Sequence, residues 1–263
     1  MDERYKPYVK RVVCWFSCGA TSAVAAKLAI KRYGNDYPVV VAYCDTGSEH
    51  PDNERFMRDC EEWFGCEVLT LKHPKHEDIW DVFESRRYIV GPGGAPCTML
   101  LKRDVRGVFE SPNEDLQVWG FDGGELERVE NFKVNNPEVM LDCPLIDDGL
   151  SKAHCLSILG GVGIEIPAMY RLGYNNSNCL GCVKGQQWYW NKVRHDFPDV
   201  FARMAKLERE IGAAINKSYA GDGKRKRVFL DELDPEAGRE SPDVMSCDLF
   251  CSSEAEEVAK DLE

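Results

Sequence analysis

The sequence predicts an α/β fold, a doubly wound parallel sheet followed by a C-terminal helical, cysteine-bearing region. Two observations carry the first part. Short apolar runs alternate with amphipathic stretches through the first half, the pattern of parallel strands joined by crossover helices. The first apolar run also turns straight into a small-residue loop and an apolar helix. The second part rests on a change of character near residue 150, after which aromatic residues, cysteines and helical spacing dominate. The 263 residues, 43% hydrophobic and 30% charged, suffice for a sizeable core. No apolar run approaches the roughly 18 residues of a membrane span. MDERYKPYVKRVV is charged from its second residue and lacks a secretory apolar stretch, so the expectation is a cytoplasmic protein with no membrane partner.

Arg11 to Phe16 (RVVCWF) reads as the first strand, Thr21 to Arg32 as a helix and Pro38 to Cys44 as the second strand. Pro51 opens a second helix in which Phe56, Cys60, Trp63 and Phe64 recur at helical spacing, and Gly65 closes it. Glu67 to Leu71 is a third strand. A helix over Met99–Phe109, a strand over Leu116–Phe121 and a short strand over Val139–Leu141 follow. Beyond Ser151 come a helix over Lys152–Leu159, an irregular stretch from Ile166 to Cys182, and a long helical piece from Lys184 to Ile215. Phe197-Pro198 divides that piece, because proline disfavours helical backbone in the residue before it. YAGDGKRKR, residues 219–227, reads as a mobile basic segment. The expected organisation is an α/β nucleotide-binding unit over 1–150, a helical C-x-x-C region over 151–230 and an acidic tail over 231–263.

The net charge of −12 belongs mostly to that tail. Residues 231–263 hold 12 acidic side chains against Arg239 and Lys260, so the body is close to neutral and its charge does not exclude an anionic ligand. The last dozen residues, SSEAEEVAKDLE, read as a solvated or frayed helix.

Two loops carry the first functional signal. Ser17-Cys18-Gly19-Ala20-Thr21-Ser22 joins a strand to a helix, where free N–H groups, the helix dipole and small hydroxyls suit a phosphate or sulfate. A plain helix cap explains the same residues equally well. The second strand ends in Asp45-Thr46-Gly47, and in a doubly wound sheet that loop lies beside the first. Its carboxylate suits a ribose hydroxyl, an adenine amine or magnesium, and equally a turn in which Gly47 supplies a positive backbone angle.

With FSCGATSAV, DTGSEHPDNERF, Pro96-Cys97-Thr98 with Lys102, GFDGGELER and PAMYRLGYNNSNCLGC in this order, the chain resembles the phosphoadenosine phosphosulfate (PAPS) reductase family of the adenine-nucleotide PP-loop superfamily. The match runs over about residues 11–216 and is similar to the C-x-x-C variants of phages and bacteria. It implies a PP-loop fold and an adenine nucleotide (PAPS, APS or ATP) held by Ser17, Gly19, Thr21 and Ser22, with Asp45 and Gly47 at the nucleoside. Lys102 and Arg128 are its basic residues near the anion, although either also reads as a solvated helix charge. The ATP-cleaving pattern S-G-G-x-D-S is broken here by Cys18 and Thr21, which puts pyrophosphate release, and the magnesium it needs, in question.

Twelve thiols in a chain read as cytosolic point to core residues and ligands rather than a disulfide framework. Cys14, Cys44, Cys60 and Cys66 fall in strands or on an apolar helix face and read as core. Cys179-Leu-Gly-Cys182 is a half-site whose turn aims two sulfurs at one metal. The resemblance makes Cys97 the third ligand of a [4Fe–4S] cluster. Cys143, Cys155, Cys247 or Cys251 then supplies the fourth, with Cys155 the choice for that place, unless an iron stays open; zinc is the chemical competitor. The resemblance also offers Cys247 or Cys251 as the nucleophile that attacks a sulfonucleotide, with a thiol reductant such as thioredoxin as partner. A second C-x-x-x-C metal half-site explains that pair as well.

The implied activity is that of a PAPS/APS reductase-like enzyme. Two alternatives stand beside it: a PP-loop ATP pyrophosphatase that adenylates a tRNA or DNA acceptor for sulfur insertion, and a non-catalytic nucleotide sensor or metal-stabilised binding module. Trp188, Tyr189, Trp190, Phe197 and Phe201 suit base stacking, with KRKR on a nucleic-acid backbone; helix packing is the more ordinary reading.

Overall fold

A computed structural model of the chain describes residues 1–219, 225–238 and 253–262. Five parallel strands form the central sheet: β1 (Arg11–Phe16), β2 (Val39–Asp45), β3 (Val68–Lys72), β4 (Asp115–Val118) and β5 (Met140–Asp142), in the order β3-β2-β1-β4-β5. The register pairs Val13 with Val40 on one side and with Gln117 on the other. The chain winds outward through β2 and β3, then returns to add β4 and β5 on the opposite side of β1. The order therefore reverses between β1 and β4, and in such sheets the crevice beyond the carboxyl ends at this point receives the ligand.

Helices cover both faces. On one, α1 (Ala20–Tyr33) and α2 (Asp52–Phe64) pack over Cys14, Phe16, Val41 and Tyr43. Phe16 stacks on Phe56 at 6.2 Å and meets Phe64 edge-on at 5.8 Å. The amphipathic spacing read in the sequence supplies these contacts, and Gly65, at φ 73°, ends α2. Helix α8 (Lys152–Gly161), opened by a Ser151 cap on the His154 N–H, joins the same layer. On the other face Trp15 meets Phe109 and Trp119, with the Arg106 guanidinium 4.6 Å from the Trp119 ring.

The stretch expected as one helix over Met99–Phe109 has three parts. A proline-started turn α4 (Pro96–Thr98) leads into a π-helical segment, Met99–Asp104, and then α5 (Val105–Phe109). π-Helical turns concentrate at functional positions, and this one carries Lys102. Helix α6 (Leu126–Asn135) connects β4 to β5, and the short helices α7 (Pro144–Asp147) and α9 (Ala168–Arg171) lie after β5. Helices α10 (Gln187–Asp196) and α11 (Pro198–Ile211) meet at Phe197-Pro198 as expected. With α3 (Ile79–Arg86) they build a second apolar cluster around Trp190, Phe83, Met169 and Met204. Of the aromatic group, Trp190 is fully buried and Tyr189 nearly so, which favours packing over base stacking for these two.

Two expectations change. The basic segment after α11 is not structureless throughout: β6 (Asn216–Tyr219) pairs antiparallel with β7 (Arg225–Val228). The end of the chain is not a solvated helix. Helix α12 (Ser253–Leu262) lies on α8 and α1, with Ala259 4% and Leu262 2% exposed, and the Leu262 carbonyl accepts from Trp63 Nε1 at 3.1 Å. Ala259, Leu262 and Val258 recur at the 3- and 4-residue spacing of one helix face, and that apolar stripe outweighs the surrounding acids. Among the described residues no helix is long and apolar enough to cross a membrane.

Candidate functional site

The first loop and the first turn of α1 form the floor of the crevice. Gly19 caps α1 in extended backbone, and the Ser22 hydroxyl organises what precedes it. Ser22 Oγ accepts from the Ser17 N–H (3.1 Å) and the Gly19 N–H (3.4 Å), donates to the Gly19 carbonyl (2.9 Å) and lies 3.1 Å from Ser17 Oγ. Ser17 is exposed, Thr21 is half-buried and Ser22 is buried. The loop thus satisfies its own donors, and an incoming anion would compete with Ser22 for them. Cys18 takes a left-handed conformation, φ 53°, the conformation glycine adopts without penalty. Its side chain is fully buried, and burial pushes the thiol well above its ordinary range.

From the other side of the crevice Gly120, two residues beyond β4, touches the same turn. A Cβ there would lie 2.7 Å from the Ser22 nitrogen and 2.9 Å from the Thr21 carbonyl carbon. Only glycine lets the β4 loop come this close. The Tyr170 hydroxyl lies 3.3 Å from where a Gly19 Cβ would stand. Its pKa is pushed up to about 12 by burial, against backbone groups of Ala20 and Ser177 that favour the phenolate. Ser177 Oγ donates in turn to Asn53 Oδ1 at 3.2 Å.

The second loop has the turn that its sequence allowed, with Gly47 at a positive backbone angle. Asp45 is committed to Lys72 (2.5 Å) and to the Gly47 N–H (2.8 Å). Gly47 has φ 64°, and a Cβ on it would lie 2.0 Å from the Glu77 carbonyl, so its glycine is required by close approach. The residue that reaches a partner across the molecule is Thr46. Its Oγ1 donates to Glu49 Oε1 at 2.6 Å and lies 3.0 Å from Cys179 Sγ, which itself is 3.7 Å from the same carboxylate oxygen.

The C-x-x-C turn is held from behind. Tyr189 Oη accepts from the N–H groups of Gly181 (3.1 Å) and Cys182 (3.0 Å) and donates to the Cys179 carbonyl (3.1 Å). The Leu180 N–H donates to the Ser48 carbonyl at 2.7 Å, which fastens the turn to the β2–α2 loop. Gly181, at φ 80°, fits against Trp80 and Val200. Burial, with Glu49 adding to it, pushes the Cys179 thiol up to about 12, while Lys102 and Thr46 oppose the rise. Cys97 is raised first by burial and then by Cys182, with Lys184 and Lys102 pulling the other way. Lys102 is half-buried, and burial alone would lower its pKa; charge on Cys179, Glu49, Cys182 and Cys44 reverses the sign, so it stays an ammonium beside the thiols.

Cys97, Cys179, Cys182 and Lys102 are therefore brought together at the carboxyl edge of the sheet. Cys44 joins them through Lys102, its Sγ 4.0 Å from the Lys102 carbonyl, so it is not purely a core residue; Cys66 is exposed and is not one at all. The two described candidates for a fourth ligand lie elsewhere. Cys155 is 0% exposed in the α1–α8 core, where its nearest charges are Asp122 and Lys152, so it cannot be the fourth ligand of this group. Cys143 lies apart too, with Phe121, Val129 and Leu141. Arg128 is exposed on α6, paired with Glu125 and 5.0 Å from the ring centre of Phe121, the neighbour of Gly120, a placement that fits the solvated helix charge its sequence also allowed. Cys247 and Cys251 lie outside the described residues.

Three thiols from two elements, one pair in an i,i+3 turn, are the soft donor set that zinc or an iron–sulfur centre takes. Among the described residues no three His, Cys, Asp or Glu side chains already converge as ligands. The donors fit such a group in kind, and closing on it would take side-chain movement of Cys97 and the turn.

No family model matches the chain. It is similar to an uncharacterized protein of Methanocaldococcus jannaschii, 23% identical over 226 residues, which is 81% of this chain and 44% of that protein. The chain thus spans less than half the length of the relative it matches.

Proposed function

We propose that the chain is a PP-loop enzyme of sulfur metabolism, similar to PAPS/APS reductases, that binds an adenine sulfonucleotide in the crevice between the loops after β1 and β4. The observation that supports this reading best is the close approach of Gly120 to the first turn of α1, which sets the β4 loop against a helix N-terminus at the reversal of strand order.

In this reading Ser17, Gly19, Thr21 and Ser22 hold the anionic end of the ligand, and Ser22 exchanges its bonds to the loop N–H groups for bonds to ligand oxygens. Lys102 contributes a fixed positive charge next to the thiols. Cys97, Cys179 and Cys182 hold an iron–sulfur centre or zinc, with Thr46 and Tyr189 orienting the turn. When bound, that centre supplies positive charge near the sulfonyl group and, if it is iron–sulfur, an electron store. A chain thiolate, with Cys247 and Cys251 as the candidates, attacks the ligand sulfur. The S–O bond to the nucleotide breaks with its electron pair leaving on the nucleotide phosphate. A dithiol reductant such as thioredoxin then releases sulfite and is itself oxidised to a disulfide.

Anaerobic purification with ultraviolet–visible spectra and metal analysis tests the centre, and sulfite release from PAPS or APS tests the reaction. The expected result is bound iron or zinc that falls in Cys179→Ala, together with sulfite formation. A metal-free protein, or pyrophosphate release from ATP with no sulfite from either sulfonucleotide, would contradict the reading.

A further inference from the structure

The ribbon β6–β7 concentrates positive charge where the fold gives no reason for it. Its register sets Lys217 opposite Arg227 and Ser218 opposite Lys226. Like charges directly across a strand pair are destabilising. Lys217, Lys226 and Arg227 are all exposed. The acids that follow β7 do not neutralise them, because Asp231 and Glu232 are taken by Arg209 of α11 at 2.7 and 2.8 Å. Arg227 donates to the carbonyls of Ala214 (2.9 Å) and Ile215 (3.2 Å), which fixes its guanidinium on neutral acceptors, and among the described residues no carboxylate pairs with it. All this occurs in a chain of net charge −12 whose body is close to neutral, so attraction to a polyanion has to be local.

The ribbon is also anchored beside the thiols. Gln187 Nε2, at the start of α10, donates to the Lys217 carbonyl at 3.0 Å. The segment between Cys182 and Gln187 carries exposed Lys184, two residues beyond the C-x-x-C turn. The exposed large apolar side chains among the described residues lie elsewhere, at Tyr8, Leu69, Tyr88, Met99, Val108, Leu126, Val134 and Leu172. A membrane-docking element needs such side chains to insert, and the exposed ribbon side chains among the described residues are Lys217, Lys226 and Arg227. A twisted two-stranded ribbon is, by contrast, one of the two elements that nucleic-acid grooves admit.

We propose that β6–β7 is a docking surface for the phosphodiester backbone of a nucleic acid, with Lys217, Lys226 and Arg227 on phosphates and the strand directed past Lys184 toward the C-x-x-C turn. This does not rest on the nucleotide reading of the crevice.

The test is fluorescence anisotropy of the full chain with a short labelled RNA, the single-stranded DNA of the same sequence and its duplex, over a series of salt concentrations. Binding of at least one of the three is expected at about 50 mM salt, with a log–log salt slope of about −2 to −3 for three phosphate contacts. The double variant Lys217→Glu/Lys226→Glu should lose at least about tenfold in affinity and flatten that slope by about 1 to 2, while adenine-nucleotide binding stays unchanged. No binding in any arm, a double variant within twofold of the parent, or competition by polyglutamate as effective as by nucleic acid would each overturn the proposal. Failure of adenine-nucleotide binding in the parent chain would instead count against the crevice alone.

Discussion

Thr46 Oγ1 and Cys179 Sγ lie 3.0 Å apart across 133 positions of sequence, and this contact joins the carboxyl end of β2 to the C-x-x-C turn. Because the Thr46 proton goes to Glu49, the thiol is the donor to Thr46 as long as Cys179 is protonated. Once Cys179 is deprotonated, by a metal for example, the threonine hydroxyl can turn and donate to sulfur instead. Thr46→Val keeps the shape and removes both options. It should lower metal affinity by about 10- to 100-fold, the usual effect of a lost ligand partner, and Tyr189→Phe should do the same by leaving the backbone groups of Gly181, Cys182 and Cys179 unpaired. Chelator competition on the purified protein measures both.

Gly120→Ala puts a methyl group against backbone, not against a side chain that can swing away. The β4 loop must withdraw from α1, at a cost of about 1–3 kcal/mol for overpacking. Adenine-nucleotide affinity should fall by about tenfold or more. Urea unfolding and calorimetric titration of the same variant separate the two effects.

Cys18 holds a left-handed backbone that costs an L-residue about 1–2 kcal/mol. Cys18→Val, branched at Cβ, should destabilise by about 2 kcal/mol or more. Cys18→Gly should stay within about 1 kcal/mol of the parent, since relief of that strain is offset by the greater freedom of an unfolded glycine and by the lost buried thiol. Equilibrium unfolding midpoints of the two variants decide it.

Glu208 is fully buried, accepts from the Ile215 N–H (2.5 Å) and the Leu230 N–H (2.6 Å), and ties both feet of the β6–β7 ribbon to α11. Burial raises its pKa to about 7 although both backbone donors favour the carboxylate. A carboxyl group raised on folding stabilises most fully below its unfolded pKa, and that contribution is lost as pH climbs through about 7. Between pH 5 and 8 the loss should approach about 3 kcal/mol. Glu208→Gln should flatten this dependence and, with one acceptor replaced by a donor, lower stability at pH 5 by about 1–3 kcal/mol. Urea titrations across that pH range give both numbers.

The sheet, its first two helices and the break at Phe197-Pro198 were legible because apolar period and turn residues are local signals. The π-helical turn at Lys102 was not, since its sequence reads as an ordinary helix. The docking of α12 was masked by its acids, which outnumber the few apolar residues that do the packing. In the candidate site, the thiol turn and Cys97 were legible as a group, whereas Cys155 was placed there only by counting cysteines. Thr46 and Tyr170 gave no spacing signal, as their partners Cys179 and Gly19 lie far along the chain, while Glu49 and Tyr189 read as an ordinary loop acid and a packing aromatic. Gly120 fell inside the strand expected over Leu116–Phe121; because β4 ends at Val118, it lies in the loop, where the close approach to α1 requires glycine. Cys18, which sequence reasoning left without a physical account, is explained in part, as a residue in a glycine-like conformation whose side chain fills the core.

The central claim is that the crevice between the β1 and β4 loops takes an adenine nucleotide. Calorimetric titration of the full chain with PAPS, APS and ATP tests it most directly, alongside Ser17→Glu, which places a carboxylate on an exposed loop position without disturbing the core. Saturable binding of at least one of the three, weakened about tenfold or more in Ser17→Glu by like-charge repulsion, is the expected result. No binding of any of them, or equal binding by parent and variant, would contradict it.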